Sequence, residues 1–177
     1  AIAAASNVSI SKSHRPASEG CTSASGFPAS ARLVAHFRKI HAERMLDMPF
    51  LNPRLAVCGV GFREFDEHAV GVLVTPWFMN LVLLPGEQEW SRLAQGSVVE
   101  VALPGSDIEF NVSHDDDFGT HLSAALFSSV ADFPDQDTAV AIAGEVLHQL
   151  FHPESEPKAA EPQSMSRREL FTRLGAG

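Results

Sequence analysis

The order of the apolar segments constrains this chain most. Short runs rich in valine, leucine and phenylalanine follow one another from Leu55 to Ser128, and helical patterns occur only before and after them. Runs of this kind, bounded by turn residues, read as β-strands. Leu55–Phe65 and Ala69–Thr75 flank the turn Asp66-Glu67-His68 and predict a hairpin. Phe78–Leu84 is a third run, closed by Pro85-Gly86, while Ser97–Leu103 and Ile108–Ser113 predict a second hairpin around Pro104-Gly105-Ser106-Asp107. In Thr120–Ser128 the alternation of Leu122, Ala124 and Leu126 favours a strand over a short helix. Nothing alternates as strand, helix, strand, which argues against a doubly wound nucleotide-binding sheet. The expectation is an α+β fold: a two-layer sandwich whose antiparallel sheet of five or six strands has its helices packed on one face.

The flanking helices carry their own signals. Ser30 reads as the N-cap of a helix running to Asp47, with Leu33, Phe37, Ile40 and Met45 at three- and four-residue spacing, and Pro49 and Pro53 ending it. A second helix covers Asp137–Phe151, capped by Asp137 or Thr138 and striped by Val140, Ala143, Val146, Leu147 and Leu150. Three units follow. Residues 1–29 are an Ala/Ser-rich leader expected to be disordered, 30–152 form the α+β domain, and 153–177 are a Pro-rich linker with a short Ser-Arg-Arg segment.

Charge narrows the partners. The net charge of -9 is unevenly spread: residues 55–151 hold fifteen acids against Arg63 and Arg92, whereas residues 1–54 hold seven basic side chains against three acids. Phosphate backbones are repelled by such a domain and cationic peptides are drawn to it, so nucleic acid is excluded as a partner. No apolar run approaches the roughly 18 residues needed to cross a bilayer, and the leader lacks the pattern of a secretory signal. Two cysteines, Cys21 and Cys58, support neither a disulfide framework nor a thiolate zinc site, and a reducing cytoplasm is the simplest expectation.

Eight histidines require a search for metal or catalytic chemistry. His148 and His152 are four apart on the last helix, but the glutamate usual between such a pair is absent and no third ligand accompanies them. The run His114-Asp115-Asp116-Asp117 lacks the alternation of a calcium loop; it reads as a solvated turn or as an acidic docking point for a cationic peptide. No nucleophile elbow and no phosphate-binding loop occur. The expectation is a protein without catalytic residues, metal or cofactor.

The most distinctive residues are Thr75-Pro76-Trp77-Phe78, then Pro85-Gly86-Glu87, Glu89 and Trp90. Proline cannot donate to a ladder, so Pro76 marks a break or edge and leaves Trp77 at a rim. Each tryptophan either plugs an end of the core or helps to build a groove for a peptide. With the segment V-T-P-W-F-M-N-L-V-L-L-P-G-E-Q-E-W from Val74 to Trp90, F-L-N-P-R-L from Phe50 to Leu55 and S-R-R-E-L-F from Ser166 to Phe171, the chain resembles the HybE/HupJ family of [NiFe]-hydrogenase assembly chaperones.

The resemblance implies a cytoplasmic, non-catalytic protein. Its partners would be the precursor small subunit of an uptake hydrogenase, held through its twin-arginine signal peptide until export, or the large subunit, together with other maturation proteins and a second copy in a homodimer. The alternative is a metal-binding accessory protein or a generic adaptor in the same pathway. A twin-arginine signal presents two guanidinium groups and then an apolar stretch, so its receptor needs carboxylates beside an aromatic groove. Thr75, Pro76, Trp77, Phe78, Pro85, Gly86 and Trp90 are the expected groove, and Glu87, Glu89, Asp115, Asp116 and Asp117 the expected carboxylates. The tail segment Ser166, Arg167, Arg168, Leu170 and Phe171 is similar to the twin-arginine motif itself, which suggests a regulatory element that occupies the acidic groove until a client displaces it. Its Ser166-x-x-Glu169 spacing equally fits the capping box of a short helix.

Overall fold

A computed structural model of the chain describes residues 27–86, 90 and 92–153. Helix α1 spans Pro28–Ile40, and Pro28 at its first turn supplies a backbone angle already suited to a helix. Ser30, expected to cap it, lies inside the first turn, where its buried hydroxyl donates to the Phe27 carbonyl at 2.8 Å. Beyond Ile40 the helix widens into a π-helical segment, His41–Met45.

Six strands follow: β1 (Cys58–Phe65), β2 (His68–Val74), β3 (Met79–Leu84), β4 (Val98–Leu103), β5 (Ser106–Asp115) and β6 (Gly119–Phe127), before helix α2 (Gln136–Phe151). They form one antiparallel sheet in the order β1-β2-β3-β6-β5-β4. Both expected hairpins are present. Asp66 and Glu67 make the β1–β2 turn with positive φ (47° and 66°), the handedness that a tight hairpin needs. Leu103 pairs with Ser106 across the Pro104-Gly105 turn of the β4–β5 hairpin. Helix α2 is capped by Asp135, whose carboxylate accepts from the Thr138 N–H at 2.8 Å, two residues earlier than expected. Cys58 is buried at the head of β1.

The α+β class and the antiparallel sheet are as expected, but the helices are not on one face. Val70, Val72 and Val74 of β2 join Met79, Leu81 and Leu83 of β3 in the core that receives Ala139, Ala143 and Leu147 of α2. The alternate residues Ala69, Leu73, Val82 and Leu84 pack with Leu33 of α1 in a second core. Successive strand side chains point to opposite faces, so the two helices sandwich the sheet between them at its β1–β2 end. The reason is legible in β2: buried at every position but His68, it is apolar without alternation, as a strand covered on both sides must be. In β4 exposed and half-buried residues alternate, and there only one face is covered.

Candidate functional site

Thr75, Pro76, Trp77 and Phe78 form the β2–β3 turn. The fully buried Thr75 hydroxyl accepts from the Phe78 N–H at 2.9 Å and the Trp77 N–H at 3.3 Å, and the Thr75 N–H donates to the Phe78 carbonyl at 2.9 Å. The Pro76 carbonyl accepts from the Asn52 N–H at 2.8 Å. Buried Asn52 in turn donates from Nδ2 to the carbonyls of Val130 and Phe133 and accepts from the Arg54 N–H. Both recognisable segments, F-L-N-P-R-L and T-P-W-F, are thus stitched to each other and to the loop before α2. Trp77 is half-buried, edge-on to Phe78 at 5.6 Å and 5.7 Å from the His41 ring, with Phe37 edge-on to Phe78 at 5.7 Å. Pro76 sits at the end of a central strand rather than along a sheet edge.

Asp115, Asp116 and Asp117 lie in the β5–β6 turn against α1. Asp115 accepts from the N–H groups of Asp117 and Phe118 at 2.9 and 3.0 Å and faces His36 Nε2 at 3.0 Å. Burial pushes the Asp115 carboxyl upward, but the Phe118 and Asp117 N–H groups and His36 outweigh it and hold the group below the usual aspartate range. Asp117 meets Lys39 Nζ at 3.1 Å. Of these three carboxylates, two are therefore engaged within the fold, and Asp116 is exposed. Behind them His121 is buried, with no partner for Nδ1 among the described residues, and burial lowers its pKa from 6.5 against the opposing pull of the Gly119 backbone and Asp115. His36, Asp115 and Asp117 place ligand atoms within 4.8 Å of one another, the one such group among the described residues, though Lys39 already holds Asp117. His148 and His152 stack at 4.7 Å on α2.

Pro85, Gly86 and Trp90 lie at the other end of β3. Gly86 has a structural role: a Cβ there would collide with the Glu67 carbonyl of the β1–β2 turn. Trp90 packs edge-on to His68 at 4.8 Å. With Phe65, Leu83, Leu93 and Val101 these rings line a cavity of about 440 Å³, bordered by Asp66 and Glu100. Trp77 belongs to the core on the α1 side and Trp90 to the core on the α2 side, so the expected single groove is divided between two ends of β3 and two faces of the sheet. Glu87, Glu89 and the tail residues Ser166, Arg167, Arg168, Leu170 and Phe171 lie outside the described residues. The sequence reading missed His68, Leu93, Asp66 and Glu100; only the turn position of Asp66 and the aromatic Phe65 signalled them.

Known proteins match this arrangement. The family model of the [NiFe]-hydrogenase assembly chaperone HybE matches residues 28–173. Hydrogenase expression/formation protein HoxT of Azotobacter vinelandii is 39% identical over 147 residues, covering 82% of this chain and 95% of that one. HupJ of Bradyrhizobium diazoefficiens, also described as a hydrogenase expression/formation protein, is 38% identical and covers 79% of each. A probable rubredoxin HupJ of Rhodobacter capsulatus is 36% identical over 78% of this chain, which spans about half (51%) of that relative's length. The solution structure of HybE from Escherichia coli shares the fold, with a TM-score of 0.57 at 22% identity over 78% of this chain and 88% of the other. The chain therefore belongs to the HybE family of [NiFe]-hydrogenase assembly chaperones.

Proposed function

We propose that the protein is a non-catalytic chaperone that holds the precursor small subunit of a [NiFe]-hydrogenase through its twin-arginine signal peptide, in the cytoplasm, until assembly and export. The observation that carries this reading is the cavity at Trp90. It combines apolar and aromatic walls with an acidic residue, Asp66, at its border, which is the chemistry that a peptide with guanidinium groups and an apolar stretch requires. Trp90 supplies a large, half-buried anchor of the type that dominates peptide recognition. Trp77, locked between Phe78 and the π-helical segment, serves the core instead.

Titration with a synthetic signal peptide, followed by calorimetry, tests the reading. Trp90→Ala should weaken binding at least tenfold, about 1.4 kcal/mol, and Trp90→Phe should restore most of it. Trp77→Ala should reduce stability while leaving affinity per folded molecule unchanged. Equal binding of a peptide with both arginines replaced by glutamine would refute signal recognition, and capture of the large-subunit precursor alone would move the client to that subunit. Stability toward heat, measured beside each titration, separates lost binding from lost folding.

A further inference from the structure

The outer face of the β4–β5 hairpin carries an unusual arrangement. Val98, Glu100 and Ala102 of β4 lie opposite Asn111, Glu109 and Asp107 of β5, on the side away from the core that contains Val99, Val101, Ile108 and Phe110. On that side α1 packs on β1 and β2, and among the described residues this hairpin is uncovered, with Val98 58% exposed. Glu100 stands directly across from Glu109, a pairing of like charges that weakens a sheet. Among the described residues no cation pairs with either carboxylate.

The course of the chain supplies a cation. The end of α2 is seated on the same hairpin: the Gly105 N–H donates to the Leu150 carbonyl at 2.8 Å, and a Cβ at Gly105 would press on the carbonyls of Gln149 and Leu150. From Pro153 the chain therefore departs beside the β4–β5 turn. Glu100 and Glu109 are five and four residues from Gly105, roughly 13–17 Å along the strands. Arg167 comes fourteen residues after Pro153, with Pro157 and Pro162 between, and an extended Pro-rich stretch of that length reaches roughly 43 Å. A tether this short keeps its end at millimolar effective concentration near the hairpin. The family match continues to residue 173, so the segment from Ser166 to Phe171 is part of the shared pattern.

We infer that the segment Ser166–Phe171 docks on the bare outer face of the β4–β5 hairpin of its own molecule, with Arg167 and Arg168 against Glu100, Glu109 and Asp107 and its apolar end against Val98. The two guanidinium groups neutralise the opposed glutamates and cover an outer face that neither helix reaches among the described residues. The inference does not depend on which client the protein holds.

Amide spectra of the full chain and of its Arg167→Gln/Arg168→Gln variant test it. Shift changes concentrated in Val98–Asn111 are expected; unchanged spectra, or changes centred on Asp115–Asp117, would overturn the assignment. In a second arm, Arg167→Lys/Arg168→Lys protein is treated with a carbodiimide, which joins an amine to a carboxylate in contact. A link from position 167 or 168 to Glu100 or Glu109 is expected, at least fivefold weaker in 0.5 M salt and absent from a Glu100→Gln/Glu109→Gln background. Mixing isotopically light and heavy chains distinguishes the two geometries: links within one chain support the docking, whereas links only between chains would overturn the intramolecular form.

Discussion

Asn52 ties three separate stretches of chain together, and its substitution should be felt more than that of either tryptophan. Its side chain and backbone make five hydrogen bonds, to Pro76, Val130, Phe133, Arg54 and Leu55, in a nearly fully buried position. Asn52→Ala removes the side-chain partner of two carbonyls and an amide and should cost about 2–4 kcal/mol in urea denaturation. Gly86→Ala meets the Glu67 carbonyl and should cost about 1–3 kcal/mol by the same measurement. His121 gives the molecule a pH dependence. Its folded pKa lies below the ordinary 6.5, so on acidification the unfolded chain takes up a proton that the folded chain refuses. That stability is complete above about pH 6.5 and is lost as pH falls through the lower folded value. Urea midpoints at pH 7.5, 6.5 and 5.5 should decline, and should decline less in His121→Gln. The sequence marked N-P and T-P-W as special, and they are. It gave no means of telling that Asn52 spends its side chain on distant backbone, because those partners lie up to 81 residues away.

Elements were more legible than their placement. Turn chemistry and apolar runs located all six strands, since hairpin turns and β-branched runs are set locally. The cap of α2 was misplaced by two residues because Asp135, Asp137 and Thr138 all have side chains able to cap, and only the extended backbone at Asp135 decides among them. Asp135→Ala should therefore lower stability by about 1 kcal/mol, and Asp137→Ala by a few tenths at most, in paired denaturation curves. The layer order was misread for a different reason. An antiparallel sheet commonly has one wet face, but β2 and β3 are apolar on both, and that absence of alternation is a signal that one helix must lie on each side.

For the whole molecule, charge and cavity act together. Asp66, at the border of the Trp90 cavity, belongs to a region with a large excess of acid, so client capture should be steered electrostatically. Raising salt from 50 to 300 mM should weaken signal-peptide binding several-fold, mainly through the association rate; affinity indifferent to salt would remove Asp66 from the site. The two tryptophans suggested one groove because they are thirteen positions apart, yet they lie at opposite ends of the six-residue strand β3 and on opposite faces of the sheet. Proximity in sequence is a poor guide to proximity in space wherever a strand intervenes.

Both helices clamp the β1–β2 end, and the β4–β5 hairpin is held by one face and one edge. Opening of the hairpin breaks its pairing with β6, its inner packing and the Gly105–Leu150 hydrogen bond, so its amides should exchange with solvent through a local excursion well short of global unfolding. The strands that remain closed during such an event are those on which α1 and α2 rest. A chaperone built this way has a rigid half that preserves its identity and a looser half that can adjust to what it carries.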